Sequence, residues 1–130
     1  MSTVKGVGVD LVLVERVRHM VERWDQRFLS RVFTPGELSY CLHRRRPEQH
    51  LAARFAAKEA ALKALGTGLS MGVRWREIEV RRGRGEAPTI HFSGRMGHLS
   101  QERGATRSLV SLTHDGEYAM AQVLLVGEEP

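Results

Sequence analysis

Asp10, Lys58, Glu59 and Lys63 are the residues whose types could do chemistry in this chain, and three of them fall within one run, Arg54 to Gly66. Carboxylates can hold a cation, while lysine and arginine bind phosphate or carboxylate oxygens. The run itself reads as a helix. Alanine and leucine fill it, no β-branched residue interrupts it, and Gly66 stands where a C-terminal cap belongs. At about 100° per residue, Leu51, Phe55, Leu62 and Leu65 share one stripe, and Ala53, Ala56, Ala57, Ala60, Ala61 and Ala64 cover the opposite side. A helix apolar on both sides is packed on both sides. Its charges, including Lys58 between Leu51 and Leu65, are therefore expected to face a cleft rather than open water. The plainer alternative is an ordinary Glu59–Lys63 ion pair at helical spacing, contributing about 0.3–0.5 kcal/mol.

The chain has 130 residues, enough for one domain that buries roughly two-thirds of its unfolded surface. Its single Cys41 allows no internal disulfide, and no apolar run reaches the length of a signal sequence or membrane span. A reducing cytoplasm is the expected compartment, with Cys41 as inert filling. The net charge of +5, carried mostly by arginine, points to an anionic partner: nucleic acid, phosphorylated small molecule or acidic protein.

The other elements must position these residues. Val4 to Val12 is β-branched with glycines interspersed, a strand whose backbone is approached closely. Asp10 near its end is either a helix N-cap or a cation ligand. Leu13, Val17, Met20, Val21 and Trp24 then recur at helical spacing, leaving Arg16, Arg23 and, beyond them, Arg27 and Arg31 outside. Thr34-Pro35-Gly36-Glu37 is a capping box that starts a helix carrying Leu38, Cys41 and Leu42 inward. Arg44-Arg45-Arg46 ends that helix as a solvated turn, and Pro47 opens the next. Trp75 to Arg82 and Thr89 to Phe92 read as strands and Gly94 to Arg103 as a helix. Ser108 to His114 and Glu117 to Val126 form a hairpin turning at Asp115-Gly116. His114 therefore stands beside a tight turn.

Four segments together resemble one family: Gly6-Val7-Gly8-Val9-Asp10, Phe33 to Tyr40, Arg54 to Gly68, and Ser111-Leu112-Thr113-His114. In this order, and over nearly the whole chain, they are similar to holo-acyl-carrier-protein synthases, the short type of 4′-phosphopantetheinyl transferase. The turn Gly85-Glu86-Ala87-Pro88 is a residue longer than the family's usual one. The resemblance implies an α+β fold, a small antiparallel sheet packed with a long central helix, assembled as a homotrimer with active sites between subunits. It implies transfer of the phosphopantetheine arm of coenzyme A to a serine of an acyl carrier protein, with release of adenosine 3′,5′-bisphosphate, a step of fatty acid biosynthesis.

Displacement at a diphosphate requires charge neutralisation, which magnesium held by Asp10 and Glu59 would provide. Lys63, one turn beyond Glu59, can reach the same oxygens, so Glu59 and Lys63 are the expected catalytic pair. Arg54, Lys58, Lys63 and His114 are expected on the phosphates. Acyl carrier proteins are acidic helical bundles, which makes Arg16, Arg23, Arg27 and Arg31 the expected docking face. Two rivals differ in class. A nucleic-acid binder would use Arg44 to Arg46 and Arg81 to Arg84, but the aromatic residues lie mostly on apolar stripes, leaving little to stack on bases. A non-catalytic trimer would leave Asp10, Glu59 and Lys63 together without a reason. No nucleic acid and no membrane are expected among the partners.

Overall fold

Pro47 and Gly66 bound a 19-residue helix, here α4 (Pro47–Leu65), around which the other elements are laid. Proline presets φ in the first turn, and Gly66 closes the last in the left-handed conformation (φ 76°), its N–H bonding to the Leu62 and Lys63 carbonyls. The computed structural model describes residues 1–66 and 68–129, so Thr67 of the resemblance-bearing run lies outside the described residues.

Before α4 come β1 (Ser2–Leu13), α1 (Val14–Trp24), α2 (Gln26–Val32) and α3 (Pro35–Leu42). After it come two 3₁₀ turns (Leu69–Met71 and Trp75–Glu77), β2 (Ile78–Arg81), β3 (Thr89–Phe92), α5 (Gly94–Glu102), β4 (Arg107–Asp115) and β5 (Tyr118–Glu128). The architecture is α+β. An antiparallel sheet of order β1-β5-β4 lies against α4, and β2-β3 form a separate two-stranded pair.

Alternation sorts the sheet into two faces. Gly8, Val12, Ala119, Ala121, Val123 and Leu125 are buried against α4, while Val7, Val9, Leu11, Leu13, Leu109, Tyr118 and Met120 are exposed on the other side. The inner face is small for a reason. A Cβ at Gly6 would stand 2.0 Å from the Ala64 carbonyl oxygen, and one at Gly8 would stand 1.9 Å from that of Ala60. Strand and helix thus meet backbone to backbone, as the glycines in the sequence led one to expect.

Several local expectations are corrected. The Trp75–Arg82 segment begins as a 3₁₀ turn and becomes strand only at Ile78. In the β4–β5 hairpin Asp115 pairs with Tyr118, so the two loop residues are Gly116 (φ 59°) and Glu117, one place later than Asp115-Gly116. Leu42, expected inside, is exposed because it closes α3 on the outer side, whereas Cys41 is fully buried and its thiol is pushed up to about 12 by that burial.

Candidate functional site

The close approach of β1 to α4 brings Asp10 to the helix where Glu59 and Lys63 emerge. The Lys63 ammonium donates to Asp10 Oδ1 at 2.9 Å and to the Val9 carbonyl at 3.2 Å. Glu59 is half-buried beside them, and its carboxyl is held above the usual carboxylate range, first by burial and then by the Asp10 charge. Lys63 and Arg16 pull the other way but do not offset it. Two carboxylates this close, one of which raises the proton affinity of the other, form an oxygen donor set for a hard cation. Among the described residues no cluster of three or more metal-ligating side chains occurs, so further ligands would come from substrate oxygens and water. The N-cap alternative for Asp10 fails, because Leu13 holds the N-cap position of α1.

Arg16 opens the arginine face that continues from this group. Arg16 and Arg23 share one groove with Met20 and Trp24, and Arg27 and Arg31 rim the next, a cavity of about 470 Å³ floored by Met20, Phe28, Phe55 and Trp75. The chain turns between α1 and α2 at Asp25, which has φ 46°, so the four arginines come from two short helices and border two adjoining grooves that share Met20 and Trp24.

Lys58 belongs to neither group. Its side chain is fully buried, and its ammonium contacts Glu37 Oε1 at 2.7 Å, the Trp75 carbonyl at 3.1 Å and the Ile78 carbonyl. All three donors are used. Burial pulls this lysine below its ordinary pKa, and Glu37 opposes that pull. Glu37 was legible only as half of a capping box. It accepts from Thr34 N–H at 2.9 Å and, through its other oxygen, from Val80 N–H at 2.8 Å. The expectation that Lys58 faces a phosphate is corrected: it braces α3, α4 and β2 from inside.

Arg54 and His114 do come together, on the far side of α4. With His50 and Arg82 they line a cavity of about 220 Å³. The Arg54 guanidinium carbon lies 4.1 Å from the Tyr40 ring centre, and Arg44 lies at the same distance from that ring. Arg44 keeps this contact while remaining exposed in the Arg44 to Arg46 turn. His50 was missed in the sequence, although it stands four residues before Arg54 and so on the same side of the helix. Arg82 is brought in at the start of the β2–β3 connection; the sequence marked that turn but not that Arg82 would meet Arg54.

The sequence matches the 4′-phosphopantetheinyl transferase superfamily over residues 6–123. It is 44% identical over 127 residues to the holo-acyl-carrier-protein synthase of Syntrophotalea carbinolica, covering 98% of this chain and 99% of that one. The chain belongs to the 4′-phosphopantetheinyl transferase superfamily. Its fold also overlays the synthase of Neisseria meningitidis with a TM-score of 0.86 at 30% identity, covering 95% of this chain and 98% of that one. For the Helicobacter pylori synthase, solved in complex with coenzyme A, the TM-score is 0.80 at 28% identity, with 92% and 98% covered. The α+β architecture with a long central helix, expected from the resemblance, is thereby borne out. No helix among the described residues is long and apolar enough to cross a membrane.

Proposed function

We infer that this transferase moves the 4′-phosphopantetheine arm of coenzyme A to a serine of an apo acyl carrier protein. A serine oxygen–phosphorus bond forms, the diphosphate bridge breaks, and adenosine 3′,5′-bisphosphate leaves. The observation that carries the reading is the group Asp10, Glu59 and Lys63, with Arg16, which also borders the α1 groove, close enough to act on Glu59. Asp10 and Glu59 would hold magnesium, which supplies neutralisation of diphosphate charge when bound. The Lys63 side chain, 56% exposed, is free to swing from Asp10 to an oxygen of the leaving phosphate, where its charge is worth most as the bridge breaks. Arg54 and His114 hold other phosphate oxygens of the nucleotide. Arg16, Arg23, Arg27 and Arg31 receive an acidic helix of the carrier.

The two charged groups of α4 cannot serve one substrate within a single chain. Nine positions separate His50 from Glu59, which at about 100° per residue turns the helix by half a revolution. Glu59 with Lys63 and Arg54 with His50 therefore leave α4 on opposite sides. A homotrimer that sets the Asp10 side of one subunit against the Arg54 side of its neighbour reconciles them. The exposed apolar face of the sheet, Val7, Val9 and Leu11 beside Leu109 and Met120, is the surface such an assembly covers. The whole chain acts as one domain, and a cytoplasmic location accords with its lone buried thiol. Incubating the protein with coenzyme A, magnesium and an apo carrier tests the reading. The expected result is carrier heavier by one phosphopantetheine arm, with bisphosphate released in equal amount; unmodified carrier under all conditions would refute it.

A further inference from the structure

The cavity beside Arg54 has a lining histidine, His50, to which the transfer reaction gives no role. Every titratable group lining it is basic: His50 and Arg54 of α4, Arg82 beyond β2, and His114 of β4. Arg54 is buried, and its Nε has no hydrogen-bond partner among the described residues, an arrangement that costs stability until an acceptor enters. His50, half-buried in the first turn of α4, sets its ring 5.8 Å from that of His114 and 6.0 Å from that of Tyr40 on α3. Its pKa is held below the ordinary histidine value, first by burial and then by Arg54, His114, Arg44 and Arg82. The same surroundings that repel a proton in the free protein reverse their effect when a dianion sits among them, since the added negative charge outweighs the neighbouring positive ones at short range.

We propose that His50 is a further binding residue of this pocket, taking up a proton as a phosphate group enters and so coupling the hold on the nucleotide to pH. The proposal rests on the reading above, in which Arg54 and His114 face phosphates of coenzyme A. The linkage has a definite sign. Below the free-state pKa His50 is already charged and its contribution to binding is complete. As pH rises through the raised, ligand-bound pKa that contribution disappears.

Ring-nitrogen NMR of His50 tests this directly, with sodium sulfate as a probe whose own charge does not change over the range, and with coenzyme A. The titration midpoint of His50 should move upward by about one pH unit on saturation with either, equivalent to about a tenfold preference of the ligand for the protonated form. His50→Phe retains a ring against Tyr40 and His114. It should weaken coenzyme A binding about tenfold near pH 6 and leave it nearly unchanged near pH 8.5. A midpoint unmoved by both ligands, with Arg54→Gln still weakening coenzyme A, overturns the role of His50 and leaves the phosphate pocket standing. If Arg54→Gln is also without effect, the pocket reading falls with it.

Discussion

Two lysine–carboxylate pairs stand on the same helix five residues apart, at 2.7 Å for Lys58–Glu37 and 2.9 Å for Lys63–Asp10. In distance they are alike, yet their surroundings are opposite. The first has both side chains fully buried and every ammonium donor occupied, so it has nothing left to offer a ligand. The second is 56% exposed at the lysine and 16% at the aspartate, with Glu59 close by and its carboxyl raised by burial and by the Asp10 charge. What separates a brace from a site is therefore burial and saturation of the donors, and neither is visible in a list of residue types.

Lys58→Met gives the largest expected effect and is the first way to break this comparison. It strands Glu37 as an unpaired buried carboxylate, and removing one partner of such a pair costs about 3–5 kcal/mol. Urea unfolding should show that loss. A variant of unchanged stability with weakened coenzyme A affinity would return Lys58 to the phosphate-binding role first expected of it.

At the open pair the expected loss is in turnover. Asp10→Ala and Glu59→Gln should each lower kcat by roughly 10²–10³ with little change in unfolding, since each removes fixed charge where the transition state needs it. Lys63→Ala should lower kcat by more than it weakens coenzyme A, and its stability should stay within about 1 kcal/mol of the parent, as for other exposed pairs. An unchanged kcat with a raised KM would make Lys63 a binding residue only.

Gly8→Ala sharpens the comparison by moving the strand that carries Asp10. The added methyl would meet the Ala60 carbonyl oxygen at 1.9 Å, so β1 must shift from α4, at a cost of about 1–3 kcal/mol. Turnover should fall alongside stability although no charged group has changed. Full activity in Gly8→Ala would show that the Asp10–Lys63 geometry does not depend on this contact.

The smallest effect belongs to the rim. Reversing Arg16 and Arg23 to glutamate should slow association with the carrier about tenfold at low salt, with the difference shrinking as salt rises and coenzyme A affinity unchanged. Stopped-flow association at two salt concentrations reads this. Loss of carrier binding on changing Arg44 to Arg46 instead would move the docking face elsewhere.

Elements announced by local chemistry were legible in the sequence. The capping box at Thr34–Glu37, the Pro47 start and Gly66 stop of α4, and the glycines of β1 each act within a few residues of their own position, and each stands where the sequence indicated. Asp10, Glu59 and Lys63 were found together because two share a helix face and the resemblance supplied the third. What the sequence did not reveal depends on contacts made across the fold. Glu37 meets Lys58 from 21 positions away and Val80 from 43, and Arg82 reaches the Arg54 pocket through a loop. The hairpin turn was misplaced by one residue because Asp-Gly is a strong local signal, but the register of β5 against β1 and β4 sets where the chain reverses.

The saturated Lys58 ammonium also makes this protein its own reporter. Only three lysines occur in the sequence, Lys5, Lys58 and Lys63. An amine-reactive reagent should therefore label Lys63 in the resting enzyme and be blocked there by coenzyme A, while reaching Lys58 only in molecules that have opened their core. Occupancy and unfolding can be followed in one digest, on two peptides of the same helix.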